Sequence, residues 1–460
     1  MINPALDTNQ INKPGEPNGR RLVVSLYYPI DNKVARGGIP VQYKFDYAGN
    51  VNPSGSLPYP IAQADAGNLT FSSYFGARVD PTSVLPADSS VVNCNVNNCT
   101  DGKIVGLPVT KSGPFPLIIV AHGGTGTGTS FANLAEYLAS YGFIVAAPSQ
   151  IGARWVDAFS GPCAANQQRP CSGISTNGRS FDISFVITQM LAKNNNSSDP
   201  FYHKIDANKI GAWGYSAGSQ AVQGVVAGTT LGGVPVPKDP RVAAFVAGGV
   251  GVLNLVPVTY DPNNITVPSL WITGTADQLR TGNLTASYNL VNTANAKDKY
   301  LLTIAGMPHV GTQISTCDRG PRVLDLQNNG NIQPNDKNYY AAYFKFDGAQ
   351  FGGLQTFCPA SDFYDTSNFN ALTIFGLTSL LLPENEIPGR INLAGVYESS
   401  TLASTSEPII DIMSLAFFEV YLNHNFLYNI LLVPDIAHLL DSHIALQSCV
   451  QLGSSSQCSQ

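Results

Sequence analysis

The strongest chemical signal in the chain is the stretch Lys209-Ile-Gly-Ala-Trp-Gly-Tyr-Ser-Ala-Gly218. Ile210–Tyr215 reads as a short apolar β-run, and Ser219-Gln-Ala-Val-Gln-Gly-Val-Val226 leaves it with helical spacing. Between them, Gly214-Tyr-Ser-Ala-Gly218 has the form Gly-x-Ser-x-Gly. A turn of this kind needs small residues at both ends, because the central serine sits on a strained backbone packed between strand and helix. The strain exposes the serine oxygen, and the following helix N-terminus favours negative charge beside it. The chemistry would be nucleophilic attack by Ser216 on an acyl carbon. The plainer alternative is an ordinary turn serine.

A serine hydroxyl is a weak nucleophile near neutral pH and needs a general base. Six histidines are available: His122, His203, His309, His424, His438 and His443. The base belongs downstream of the nucleophile on a loop after a strand, and His309 lies four residues beyond the apolar run Tyr300–Ala305. His424, His438 and His443 fall on or beyond the last helix and read as surface or packing residues. The base in turn needs a carboxylate to hold its tautomer and stabilise the imidazolium. Asp277 follows the run Ser269–Thr273 and so stands at a strand end, whereas Asp261 precedes that strand and Asp298 starts the next. The order Ser216, Asp277, His309 is that of strand-turn-helix serine hydrolases.

An oxyanion hole requires two N–H groups aimed at the developing charge, worth about 3–4 kcal/mol per donor. Ala217, directly after the nucleophile, supplies one. The loop Ala121-His-Gly-Gly-Thr-Gly126 after an earlier strand is placed to supply the other, with glycine permitting close backbone approach. No Gly-Lys-Ser/Thr follows this loop, so it does not read as a phosphate cradle. His122 reads as a structural anchor for it.

These residues must be held by a sheet. From Pro114 to His309, apolar runs of four to six residues (117–121, 143–147, 210–215, 242–247, 270–273, 300–305) alternate with segments of helical period, the pattern of a mostly parallel sheet with crossover helices. Phe131, Leu134 and Leu138 share one helical face, and Phe181, Phe185, Ile187 and Met190 mark another helix. Residues 20–29 read as an early strand, and 407–430 as the last helix. Residues 34–113, rich in Gly, Pro and Asn, and 312–405, with Pro, Gly, Asn and aromatic residues, read as insertions into one enlarged domain.

Composition sets the outer bounds. Charged residues are 12% of the 460, and Lys+Arg 25 against Asp+Glu 31 gives −6, the wrong sign for a nucleic-acid binder. Apolar residues at 44% suffice for a large core, and no eighteen-residue apolar stretch reads as a transmembrane segment. The eight cysteines fall into close couples, Cys94 with Cys99, Cys163 with Cys171 and Cys449 with Cys458, leaving Cys317 and Cys358. Sequential disulfides in an oxidising compartment are the expectation; metal ligation is the alternative, but the spacing lacks a zinc-knuckle pattern. The secreted or periplasmic location this implies would require a leader removed ahead of Met1-Ile-Asn-Pro4, which has neither a charged nor an apolar leader segment. Six Asn-x-Ser/Thr sites (Asn68, Asn98, Asn195, Asn196, Asn264 and Asn283) fit that location but also arise by chance in so Asn-rich a chain.

Pro116-Leu-Ile-Ile-Val-Ala-His-Gly-Gly124 and Leu138-Ala-Ser-Tyr-Gly-Phe-Ile-Val-Ala-Ala-Pro148 resemble the α/β-hydrolase branch of platelet-activating-factor acetylhydrolases, dienelactone hydrolases and polyester hydrolases. Tyr27-Tyr-Pro29, Arg179 with Asp182, Ile205–Gly211 and Ala416–Leu422 are similar too. The resemblance implies an α/β-hydrolase fold with a core at about 114–310. It places the nucleophile at Ser216, the acid at Asp277, the base at His309 and the oxyanion donors at Gly124 and Ala217. The triad reading calls for no metal or organic cofactor and for a small-molecule or lipid-like carboxylic ester as substrate, the lipid-like part resting on insertions that could form an aromatic lid. The chain departs from the family pattern at Tyr215 and Gly218-Ser219 around the nucleophile, at Gly248–Gly251, where the acetylhydrolases place their acid, and in the long insertion Cys317–Thr405. A peptidase of the same fold, or a binding protein on a hydrolase scaffold, are the alternative functions.

Overall fold

The computed structural model describes residues 20–30, 109–123, 128, 130–150, 170–231, 234–249, 260–275, 283–291, 298–305, 307, 403–442, 444–452 and 455–459, with short strand pieces at 2–3, 39–40, 42–44, 70–72 and 78–79. A nine-stranded mixed sheet organises them. Its strands are β1 (Val23–Tyr27), β2 (Phe115–Ala121), β3 (Ile144–Ser149), β4 (Ile205–Tyr215), β5 (Val242–Gly248), β6 (Ser269–Gly274), β7 (Lys299–Ile304), β8 (Ile444–Leu452) and β9 (Ser455–Ser459). Across the sheet the order is β1-β3-β2-β4-β5-β6-β7-β8-β9. The six strands from β3 to β7 run parallel, while β1 at one side and β8 and β9 at the other are antiparallel. This is an α/β architecture.

The apolar runs form strands because both of their faces are covered. In β2, Ile118 and Val120 enter one buried cluster while Leu117, Ile119 and Ala121 enter the other. β4 divides likewise, with Trp213 and Tyr215 on the first face and Ile210 and Ala212 on the second. This period of two, apolar on both phases, is what a doubly covered parallel strand requires. The first face is covered by α1 (Ala132–Ser140), through Leu134, Ala135 and Leu138, and by the late helix containing Ile410, Met413 and Phe417. The second is covered by α2 (Pro170–Asn194), α3 (Ala217–Ala227) and α4 (Asn283–Leu290), through Ile183, Val186, Val222, Val225 and Leu284.

The late helix, α5, spans Ala403–Tyr421 and carries Pro408 inside it. It is shorter at its C-terminal end than the apolar pattern to Ile430 suggests. Asn423 and Asn425 each donate a side-chain amide to Glu419, at 3.2 Å, and His424 takes a left-handed φ of 57° between them. The chain then turns into a 3-10 segment, Phe426–Leu432, and a short helix α6, Pro434–Leu440. The sheet does not stop at β7 as the sequence pattern implies. The hairpin β8–β9 extends it, with Cys449 and Cys458 directly opposite one another and joined by a disulfide. Cys94, Cys99, Cys163, Cys317 and Cys358 lie outside the described residues, as does most of 312–405. Among the described residues, no helix is long and apolar enough to cross a membrane.

Candidate active site

The chain runs from β2 to β3 on one side of the sheet, then crosses β2 to form β4 on the other. In open parallel sheets a crevice forms at such a switch point, outside the carboxyl ends of the strands. Gly214 near the end of β4 pairs with Ala121 at the end of β2, so Ser216 and His122-Gly123 emerge side by side at that place.

Ser216 joins β4 directly to α3 with φ 54° and ψ −125°. A serine in this region costs about 1–3 kcal/mol and persists only when its surroundings hold it there. They do so through the backbone. The Ser216 N–H donates to the Gly248 carbonyl at 2.8 Å, and the Ser216 carbonyl accepts from the Gln220 N–H at 3.3 Å. The turn is also packed too tightly for any side chain at its two glycines. A Cβ on Gly214 would stand 2.3 Å from the Gly218 carbonyl oxygen, and one on Gly218 only 2.0 Å from that of Ala121. The Ser216 side chain does not cap α3. Ala217 begins that helix, so its N–H is one of the first-turn donors without an intrahelical acceptor.

Beside this turn lies a polar cluster that is fully enclosed. His122 is 1% exposed, and Gln150, Arg179 and Asp182 are all at 0%. The Gln150 backbone N–H donates to His122 Nε2 at 3.0 Å, which leaves the proton on Nδ1, and Nδ1 donates to the Gly123 carbonyl at 2.7 Å. The Arg179 guanidinium donates through Nη2 to the His122 carbonyl and through Nε to Gln150 Oε1. The Gln150 amide nitrogen donates in turn to the Arg179 carbonyl at 3.2 Å and to the Asp182 carboxylate at 3.3 Å. A few residues on, the Gly128 N–H donates to Ser149 Oγ at 2.9 Å. His122 thus has the anchoring role expected of it. Gln150 and Ser149 were not expected. Their only mark in the sequence is a polar pair closing an apolar strand.

Asp277, His309 and Gly124 lie outside the described residues. The strand ends that lead to the first two are described. Gly274 of β6 pairs with Ile304 of β7, and the Thr275 N–H donates to the Ile304 carbonyl at 3.0 Å. After β7 the chain folds back so closely that a Cβ on Gly274 would lie 1.9 Å from the Met307 carbonyl oxygen. Thr275 and Met307, each two residues before a candidate triad member, therefore both sit against adjacent strand ends.

The runner-up carboxylates have other work. Asp261 accepts from the Asn263 N–H and caps the turn Pro262–Asn264, and Asp298, ahead of β7, accepts from the Tyr421 hydroxyl at 2.6 Å. Among the other described histidines, His203 is an exposed turn residue just before β4, at the opposite end of that strand from Ser216, and His438 is an exposed residue of α6. Among the described residues no group of His, Cys, Asp and Glu is gathered to hold a metal ion.

No protein-family model matches the chain, and no curated protein matches it.

Proposed function

We propose that the protein is a serine ester hydrolase of α/β-hydrolase fold, with Ser216 as nucleophile, His309 as general base, Asp277 as its orienting acid, and Gly124 and Ala217 as oxyanion donors. The observation that carries the reading is the left-handed Ser216, wedged between two glycines where β4 meets α3 at the switch point of the sheet. A strained serine at a strand-helix junction presents its hydroxyl to the crevice rather than to its own helix.

In the reaction, Ser216 Oγ attacks the ester carbonyl carbon while His309 takes the hydroxyl proton. The carbonyl oxygen becomes an oxyanion held by the two backbone N–H groups. Collapse of the tetrahedral adduct breaks the bond to the alcohol oxygen, which leaves with the proton returned by His309. Water, deprotonated by the same histidine, then attacks the acyl-serine, and the acid departs as Ser216 recovers its proton. We take the ester to be lipid-like or otherwise apolar, in keeping with the aromatic-rich composition of 312–405. The disulfide Cys449–Cys458 supports a secreted or periplasmic location.

The test is hydrolysis of p-nitrophenyl esters of graded chain length by the wild type and Ser216→Ala, with a fluorophosphonate probe as a second readout. Wild-type turnover with loss of both hydrolysis and labelling in the variant is expected. Equal rates for the two proteins would remove the mechanism. A sharp preference for acetyl would remove the lipid-like substrate, and faster turnover of an amide panel would favour a peptidase.

A further inference from the structure

We propose that His122, Gln150 and Arg179 are positioning residues that orient the peptide plane carrying the second oxyanion donor. The inference rests on the ester-hydrolase reading above and adds to it the device that makes a glycine-rich loop serve as a rigid donor.

The loop after β2 reads His-Gly-Gly-Thr-Gly-Thr-Gly from 122 to 128, with four glycines in seven residues. Glycine leaves the backbone more conformational freedom than any other residue does. A donor that must meet developing charge to within about 0.5 Å needs that freedom removed. The described bonds remove it at both ends. At the start, the His122 carbonyl is held by the Arg179 guanidinium and the Gly123 carbonyl by His122 Nδ1, at 2.7 Å. At the end, the Gly128 N–H is held by Ser149 Oγ at 2.9 Å. The Gly123 carbonyl shares one planar peptide unit with the next amide nitrogen, that of Gly124, so fixing the carbonyl fixes the plane of the donor.

Histidine has a specific use here. A carbonyl can be gripped by any donor, but the ring that grips Gly123 is itself located by its second nitrogen, which accepts from the Gln150 N–H at 3.0 Å. Both nitrogens are thereby assigned, the ring is neutral, and it cannot rotate without losing both bonds. Gln150 is located in turn. Its side chain accepts from Arg179 Nε at 2.5 Å and donates to the Arg179 carbonyl and to Asp182. Every member is at most 1% exposed, so water does not compete for these bonds. The chain of contacts runs from α2 through the end of β3 to the end of β2, and finishes on the Gly123 carbonyl, where the chain leaves β2 beside Ser216.

The experiment uses the full chain and four variants: His122→Leu, His122→Asn, Gln150→Leu and Ser216→Ala. Folding is checked by near-UV circular dichroism. Measured are kcat and KM for p-nitrophenyl acetate, and inhibition by phenylboronic acid, whose serine adduct mimics the tetrahedral oxyanion. His122→Leu should lose kcat by about 10²–10³-fold, the scale of one oxyanion donor. Its KM should stay within about threefold, and its boronate affinity should fall in step with kcat. In His122→Asn the side-chain amide can still reach the Gly123 carbonyl, so part of kcat should return. Gln150→Leu, which keeps the backbone N–H to the ring but removes the side-chain bonds to Arg179 and Asp182 that hold that backbone in place, should show the same split with a smaller loss, and it carries the test if His122→Leu does not fold. A folded His122→Leu or Gln150→Leu with wild-type kcat and boronate affinity would overturn the positioning role while leaving the hydrolase reading intact. Full activity in Ser216→Ala would remove that reading and this inference with it.

Discussion

Replacing Gly218 by alanine tests the strand-turn-helix geometry more directly than replacing Ser216 does. A Cβ at position 218 would lie 2.0 Å from the Ala121 carbonyl oxygen and 2.7 Å from that of His122, and separations under 3.0 Å force a shift. Both obstacles are backbone, so no side-chain rotation relieves them. Either the end of β2 or the start of α3 must retreat by about 1 Å in a close-packed interior. Overpacking of this kind costs about 1–3 kcal/mol, which the alanine's better helix propensity, about 1 kcal/mol, only partly offsets. The functional loss should be larger than the structural one, because the displaced atoms lead into the proposed oxyanion loop. A misplacement of about 1 Å there costs on the order of 10²-fold in rate. The control lies in the same helix: a Cβ at Gly224 would meet Ser180 Oγ at 2.6 Å, a side-chain atom that can rotate away. Gly224→Ala should therefore remain within about 1 kcal/mol of the wild type, the lost bond from Ser180 Oγ to the Ala221 carbonyl being offset by helix propensity. Urea unfolding and p-nitrophenyl acetate turnover of the two variants decide the matter. If Gly218→Ala matches Gly224→Ala in both assays, the tight contact between β2 and α3 is not what organises the site.

Three further outcomes are expected. Ser216→Gly should abolish hydrolysis yet raise stability by about 1 kcal/mol, because glycine accepts the left-handed φ of 54° that strains a serine; Ser216→Ala, which keeps the strain, should not be stabilised in the same urea titration. Asp411 is buried on α5, and burial pushes its carboxyl well above the usual range, so the folded state favours the protonated form. A raised folded pKa means that this group's contribution to stability is fully present below about pH 4 and is lost as pH rises through the folded value. Asp411→Asn should thus melt with the wild type at pH 3 and above it at pH 8, and an unchanged gap across that range would contradict the burial. Replacing Cys449 and Cys458 together by serine should destabilise the β8–β9 hairpin by up to about 2–3 kcal/mol, the chain-entropy value for a loop of 9 residues, seen as faster hydrogen exchange in residues 444–459.

The parts of the fold that were legible in the sequence are those whose physics is local. β2 to β7 each appear as an apolar run, because a strand covered on both faces needs no polar phase, and the helices between them show their own period. Ser216 was legible for a related reason: Gly214 and Gly218 are demanded by contacts within a five-residue turn and with one neighbouring strand. The hairpin β8–β9 was not, since Ile444, Leu446 and Ser448 face inward while Ala445 and Gln447 face out, an alternation too short and polar to stand out beside the long helix before it. The end of α5 was missed because asparagines at 423 and 425 stop a pattern that apolar residues continue to Ile430. The cluster around His122 shows the limit most clearly. Gln150 meets His122 from 28 positions away and Arg179 from 29, and nothing in the local pattern distinguishes either from a solvent-facing residue.

The two sides of the site are held by different means. The turn at Ser216 is fixed by exclusion, since a larger residue at 214 or 218 has no room, whereas His122 and Gly123 at the end of β2 are fixed by attachment, through hydrogen bonds from β3 and α2. Exclusion acts on the backbone of every conformer that keeps the sheet, so the conformation of Ser216 should survive as long as β2 and β4 stay paired. Attachment fails bond by bond, and a buried donor or acceptor left unpaired costs about 1–3 kcal/mol. Partial loss of activity without loss of fold should therefore arise first at the His122 side of the crevice. On the Ser216 side, activity and the register of Gly214 with Ala121 should disappear together.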